Sequence, residues 1–265
     1  MASRTKQKEE ARAQRLAEEQ ARAEREQRRR RLQMLAGVVV IALVVVAIAI
    51  AISAGGGGSS SSPSSPAAKQ AARTVSALLT GIPQSGSTLG QPSAKVTVTE
   101  YGDLQCPICR DFALGAENTL ISNDVRSGRV KLLYRSLETA TGNSPNPSIF
   151  PTQQAAALAA GNQAHAWDYI LLFYHQQGSE GTDYVNTNFL NGLARQIPSL
   201  NFSKWSADRN SPTLSAQVQG DGQTASSKGF NSTPTIVVQG PKGTAKPIVG
   251  DTDYGSLEAA IKSVA

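Results

Sequence analysis

Two side chains in this 265-residue sequence have covalent chemistry of their own, Cys106 and Cys109, the only cysteines, in the stretch EYGDLQCPICRDF (100–112). A C-x-x-C pair has three uses: half of a zinc site, a structural staple, or a redox couple. A structural zinc needs four ligands. The only histidines, His165 and His175, lie more than fifty residues further on and ten apart, which fits neither a finger nor a ribbon. No metal site is expected. A bridge between residues three apart removes little entropy from the unfolded chain, so a staple would stabilise little.

The flanking residues favour redox chemistry. Pro107 follows Cys106 at what reads as the first helical position, where its missing N–H costs nothing. Cys106 then sits at a helix N-terminus, where free N–H groups and the dipole stabilise a thiolate. Cys109, one turn further in, is expected to be less exposed and to resolve a mixed disulfide. Between them stand Pro107 and Ile108; an isoleucine, unlike a histidine, neither donates to the thiolate nor adds positive charge.

The elements that must hold the pair can be read on either side. KVTVTEY (95–101) alternates as a strand, and Val96, Val98 and Glu100 share one face. A carboxyl on an apolar face beside the cysteines should have a raised pKa and exchange a proton with Cys109 through water. The other reading of Glu100, a strand-end acid that reaches solvent, stays open. VKLLYR (130–135) reads as a second strand. Between the two, CPICRDFALGAENTLISNDV has helical spacing, with Phe112, Ala113, Ala116 and Leu120 on one side. A strand–helix–strand unit favours a parallel pair. A long helical stretch follows, about 150–229, and then TIVVQG and AKPIVG read as strands joined through GPKG, before a last helix in DYGSLEAAIKSVA. The fold class is α/β.

The N-terminal part is different in kind. Residues 1–31 hold eleven Lys/Arg against six Asp/Glu; the remaining residues hold fifteen against fourteen. The basic excess therefore belongs to an arm, and no nucleic-acid-binding face is indicated on the folded part. MLAGVVVIALVVVAIAIAI (34–52) is nineteen residues without a charge. As a helix it would span roughly 28 Å, about the hydrocarbon thickness of a bilayer. A cleaved signal peptide competes, since AISAG offers small residues, but the preceding charged region and the apolar run are both long for one. Arg28 to Arg31 adjoin the segment, and the next charge is Lys69. The positive-inside rule then puts the N-terminus in the cytoplasm and the rest outside, where disulfides persist. The expected organisation is a basic cytoplasmic arm (1–33), a transmembrane helix (34–53), a Gly/Ser/Pro-rich linker (54–72) and a folded domain (73–265).

TEYGDLQCPICRDF after a strand, a helical insertion, and FNSTPTIVV followed by a hairpin and a final helix resemble the DsbA-like thioredoxin-fold thiol–disulfide oxidoreductases, in particular the membrane-anchored actinobacterial type. The likeness covers about residues 75–265. It implies a thioredoxin-like fold with a helical insertion that caps the active site, and a cis-proline against the disulfide that helps hold substrate, a role that falls on Thr233 and Pro234. It also implies that Glu100, six residues before Cys106, is the family's buried acid. No soluble cofactor is implied. The partners implied are exported protein thiols or disulfides, with the membrane engaged through 34–53, and a redox partner of the DsbB or vitamin K epoxide reductase type. The strongly oxidising members carry histidine where this chain has Ile108, so a higher Cys106 pKa and a milder oxidant are expected. His175, Asp103, Gln105 and Arg110 are weaker candidates, and none is taken as essential.

Overall fold

A computed structural model describes residues 65–250 and 253–265. The expected arm (1–33), transmembrane helix (34–53) and most of the linker lie outside the described residues. Among the described residues no helix is long and apolar enough to cross a membrane.

The first described helix is α1 (Pro66–Leu79). The Ser65 side chain accepts from the Ala68 N–H, Pro66 takes the first helical position, and Ala68, Ala71, Val75 and Leu79 are buried along one stripe. Residues 66–72, read as linker for their Ser/Pro-rich approach, are thus helix: Ser-Pro is a capping signal as well as a linker composition. A small hairpin follows, β1 (Gln84–Ser85) and β2 (Thr88–Leu89). Two-residue strands are too short to show periodicity, so composition and spacing do not reveal them.

Next come β3 (Val96–Gly102), a continuous helical run α2 (107–125), and β4 (Val130–Ser136). The run α2 contains two π turns, Ala113–Glu117 and Ile121–Val125. Strands β3 and β4 pair in parallel, with Val96 opposite Val130 and Glu100 opposite Tyr134. The helical insertion comprises α3 (Phe150–Gly161), α4 (Ala166–His175), α5 (Thr187–Ala194), α6 (Phe202–Asp208) and α7 (Pro212–Ser227). Strand β5 (Thr235–Gly240) then lies antiparallel to β3 on its other side. Of the expected strand AKPIVG (245–250) only β7 (Ile248–Val249) forms, and β6 (Gly243–Thr244) precedes it; both pair with β5. Pro247 between them has no N–H for a ladder. Helix α8 (Tyr254–Val264) closes the chain.

The sheet order is β1-β2-β4-β3-β5-β6, with β7 also on β5, so β3 is central. Both its neighbours lie close behind the cysteine loop. Helix α4 buries Trp167, Tyr169, Phe173 and Tyr174 completely, so the aromatic run AWDYILLFYH is core. The indoles find buried acceptors: Trp167 donates to Ser87 O (3.0 Å) and Trp205 to Ala156 O (2.8 Å).

Candidate active site

The C-terminal end of β3 runs into a four-residue loop, and the loop delivers Cys106 to the start of α2. Asp103 fixes this loop. Fully buried, its carboxylate accepts from the backbone N–H groups of Gln105 (3.0 Å), Thr139 (2.9 Å) and Thr141 (2.8 Å), and from the Thr141 hydroxyl and Gln153 Nε2. The cysteine loop is thereby joined to the segment after β4 and to α3. Gln105 Nε2 adds a bond to Gln153 Oε1 (3.0 Å). From the insertion, Gln177 Nε2 donates to the carbonyls of Leu104 (2.8 Å) and Cys106 (3.1 Å). Arg110 Nε donates to Tyr174 O (3.2 Å). The helical insertion thus holds the loop directly.

Cys106 is the N-cap of α2, with Pro107 inside the first turn, and its sulfur accepts from the Cys109 N–H (3.4 Å). Its thiol donates to the Thr233 carbonyl (3.5 Å). The Cys106 pKa is lowered to about 6, chiefly by the hydrogen bond from the Cys109 thiol. Burial works against this, and the Thr233 side chain and the N–H groups of Cys109 and Ile108 assist. Cys109 is fully buried, and burial holds its thiol well above the ordinary range, with Cys106 and Glu100 pushing the same way. The two sulfurs are therefore unlike: an outer one that ionises easily and an inner one that keeps its proton.

Thr233 and Pro234 come from the other end of the domain. Their peptide bond is cis, and Thr233 Oγ1 is hydrogen-bonded to Thr139 Oγ1. Gly250 N–H donates to Pro234 O (2.8 Å), which ties this turn to the end of β7. Beside Cys106 opens a cleft of about 470 Å³ lined by Glu138, Thr139, Ala140, Asn143, Glu180, Asn231, Ser232 and Thr233. Ile108 is 43% exposed and Val249 59%, the exposed large hydrophobic side chains among the described residues.

Behind Cys109, Glu100 is fully buried, as its place on the valine face of β3 implies. Burial pushes its pKa up to about 8, and the charge on Cys106 adds to the rise; hydrogen bonding from Glu117 and Tyr174 opposes it. Glu117, on the first π turn of α2, is also fully buried, and burial and Glu100 hold it well above the ordinary carboxyl range. Tyr134 faces the same space from β4 and Tyr174 from α4, both fully buried. Space for this group is made by Gly102, where a Cβ would meet the Tyr134 ring at 2.7 Å and Glu100 Oε1 at 2.9 Å.

The structure therefore brings Cys106, Cys109, Glu100, Pro107, Ile108, Thr233 and Pro234 to one place. It leaves His175 half-buried at the end of α4, its pKa lowered by burial and by Arg110. The sequence indicates one further residue only weakly and misses another. Asp103 borders the motif as a residue that could shape the loop, and it does so through partners far away in sequence. Glu117 was passed over, although it stands four residues after Ala113, on the face already assigned to the core. Among the described residues no group of three or more His, Cys, Asp or Glu side chains is arranged to hold a metal ion.

Known proteins resemble the chain in sequence and fold. Residues 84–262 match the family model described as Thioredoxin. The chain is 22% identical over 175 residues to the Probable disulfide bond formation protein D of Bacillus anthracis, covering 66% of this chain and 76% of that one. The solved structure of oxidised BdbD from Bacillus subtilis superposes with a TM-score of 0.57 at 21% identity, over 68% of this chain and 97% of that chain. Pseudomonas aeruginosa DsbA2 superposes with a TM-score of 0.52 at 23% identity, over 70% and 97%.

Proposed function

The chain belongs to the thioredoxin family and is a DsbA-like thiol–disulfide oxidoreductase; on that premise we propose that it introduces disulfides into exported proteins, working outside the cytoplasm on a membrane tether. The observation that carries the reading is the inequality of the two sulfurs. Cys106 borders a cleft and ionises near pH 6, while Cys109 is sealed behind it.

In the oxidising direction a substrate thiolate attacks Cys106 Sγ of the Cys106–Cys109 disulfide. The S–S bond breaks, Cys109 leaves as a thiolate, and Glu100 returns a proton to it. A second substrate thiolate then attacks the substrate sulfur of the mixed disulfide, and Cys106 leaves as the stabilised thiolate. The substrate loses two electrons and gains a disulfide; the enzyme is left with one thiolate and one thiol. Thr233 and Pro234 position the substrate chain beside Cys106. A membrane protein that passes electrons to a quinone, of the DsbB or vitamin K epoxide reductase type, would restore the disulfide.

Export and the tether rest on residues 34–53, whose nineteen-residue uncharged run and flanking arginines support a signal anchor with the domain outside. The linker ends before Pro66 and gives the domain reach. Reduction or isomerisation of disulfides is a second reading, favoured by Ile108 in place of a histidine.

Two experiments test the proposal. Oxidation of a reduced dithiol peptide should vanish in Cys106→Ser; full activity in that variant would sink the catalytic reading and leave a chain-binding module. Acid trapping of thiols in cells should find the pair mainly oxidised, and a mainly reduced pair would favour the second reading.

A further inference from the structure

Three stretches of chain meet at the cleft beside Cys106: 138–143 after β4, Glu180 after α4, and 231–233 before the cis-proline. Each is held in place. Asp103 fixes the first by accepting from the N–H groups of Thr139 and Thr141. Gln177 ties the second to the cysteine loop. Glu180 itself stands in a turn closed by Thr182, whose N–H and hydroxyl both donate to Ser179 O (3.3 and 2.6 Å). Gly178 packs so closely on Tyr184 that a Cβ would stand 2.6 Å from the ring. The hydrogen bond between the Thr233 and Thr139 hydroxyls joins the third stretch to the first.

The lining of this cleft has a sign. Besides Cys106, its ionisable side chains are those of Glu138 and Glu180, and no Lys, Arg or His among the described residues lines it. Both acids are exposed, and among the described residues neither has an ion-pair partner. Arg110, the cation nearest Cys106 in sequence, is engaged by Tyr174 O and Asp111 and is not part of the lining. The largest apolar side chain of the lining is that of Ala140, so the cleft offers a substrate acceptors and negative charge more than apolar surface. The charge is local, since residues 32–265 carry fifteen Lys/Arg against fourteen Asp/Glu.

A substrate chain has to bring its thiolate to Cys106 Sγ, and the residues beside its cysteine then fall within the cleft. A lysine or arginine there meets two carboxylates without partners; an aspartate or glutamate meets like charge. We propose that Glu138 and Glu180 are specificity-determining residues, which make the cleft select exported chains with lysine or arginine beside the reacting cysteine. This rests on the reading of Cys106 as the sulfur that takes the substrate. The two carboxylates are exposed, so each contributes at most about fivefold, and salt weakens the effect.

The test uses the oxidised full chain and three dithiol peptides that differ only in the residues flanking the first cysteine: lysine, serine or glutamate. Peptide oxidation is followed by acid quench and mass analysis. Each rate is divided by that peptide's rate with hydroxyethyl disulfide, an uncharged disulfide. The division removes the effect of the flanking charge on the peptide thiol's own ionisation. The normalised rates should fall in the order lysine, serine, glutamate. The lysine-to-glutamate ratio should be about tenfold at about 10 mM ionic strength and about twofold at about 1 M. In Glu138→Gln/Glu180→Gln the ratio at low salt should drop to about twofold, and in Glu138→Lys/Glu180→Lys it should invert.

A wild-type ratio near one at low salt, with all three peptides oxidised, overturns the preference and leaves the oxidation intact. A tenfold ratio that survives in the glutamine variant overturns the assignment to these two residues. If wild type oxidises none of the peptides, the reading of Cys106 falls, and the preference with it. Should the lysine variant not fold, the glutamine variant and the salt series decide.

Discussion

The sulfur of Cys106 lies 3.5 Å from the carbonyl oxygen of Thr233, a residue 127 positions further along the chain. Nothing in the intervening helices makes this contact; β3 and β5 make it by pairing, with Tyr101 opposite Thr235. One strand ends at the cysteine loop and its antiparallel neighbour begins just after Pro234. The reactive sulfur is thus set beside a backbone carbonyl in a cleft of about 470 Å³.

The reduced protein should show a Cys106 thiolate with an apparent pKa of about 6, read from its ultraviolet absorbance. The folded pKa lies below the ordinary value of 9.0, so between about 6 and 9 the unfolded chain binds the extra proton. This group therefore adds stability to the reduced form as pH rises through that window. The contribution is complete above it and lost as pH falls through about 6. Melting of the reduced protein against the oxidised one, at pH 5 and pH 8, checks the sign.

Ile108→His should lower the Cys106 pKa further and make the disulfide more oxidising. A thiolate stabilised in the reduced form raises the potential, and DsbA, with a thiol pKa of about 3.5, reaches about −120 mV. Wild type should equilibrate with glutathione at a more negative potential than that. A wild-type value as high as −120 mV, or a variant unchanged from it, would contradict the assigned role of position 108.

Glu100 should cost stability at neutral pH. Its folded pKa of about 8 is above the ordinary 4.5, so the unfolded state loses its proton first. The penalty is absent at low pH and grows until pH reaches the folded pKa. Glu100→Gln should therefore melt higher than wild type by a margin that widens between pH 5 and pH 8, even as the Cys109 step slows. A margin that does not change with pH would count against a protonated Glu100.

Asp103→Ala should be severely destabilising, by about 3 kcal/mol or more, because three backbone N–H groups and two side chains lose a buried charged acceptor. Urea unfolding measures it. The same variant should loosen the cysteine loop and raise the accessibility of Cys109 to alkylation, whereas a substitution at the exposed Glu180 should do neither.

The fold's central unit was legible because its signals are local and periodic. KVTVTEY alternates, Cys-Pro marks a helix start, and the parallel pairing follows from a helix between two strands. Glu100 was legible for the same reason, since strand alternation places it with Val96 and Val98. What escaped depends on contacts far apart in sequence. Asp103 gains its importance from Thr139, Thr141 and Gln153, and no pattern around residue 103 announces that. Glu117 shares the buried face of Ala113 and Ala116, but a charged residue type at that spacing reads as a solvated position until the packing around it is seen. The hairpin β1–β2 is too short for periodicity, and Pro247 keeps the first half of AKPIVG out of the ladder, leaving Ile248–Val249. Ser65 and Pro66 show the converse: residues that composition assigned to a linker cap and open a helix.

The central claim is that a Cys106–Cys109 disulfide is passed to a substrate through Cys106. Its most direct test is one turnover between the oxidised protein and an equimolar reduced dithiol peptide, quenched with acid, alkylated and weighed. The account predicts a peptide lighter by two hydrogens, a protein that takes up two alkyl groups at Cys106 and Cys109, and, at early times, a mixed disulfide on Cys106. A mixed disulfide on Cys109, or an oxidised peptide with no thiols gained by the protein, would contradict it.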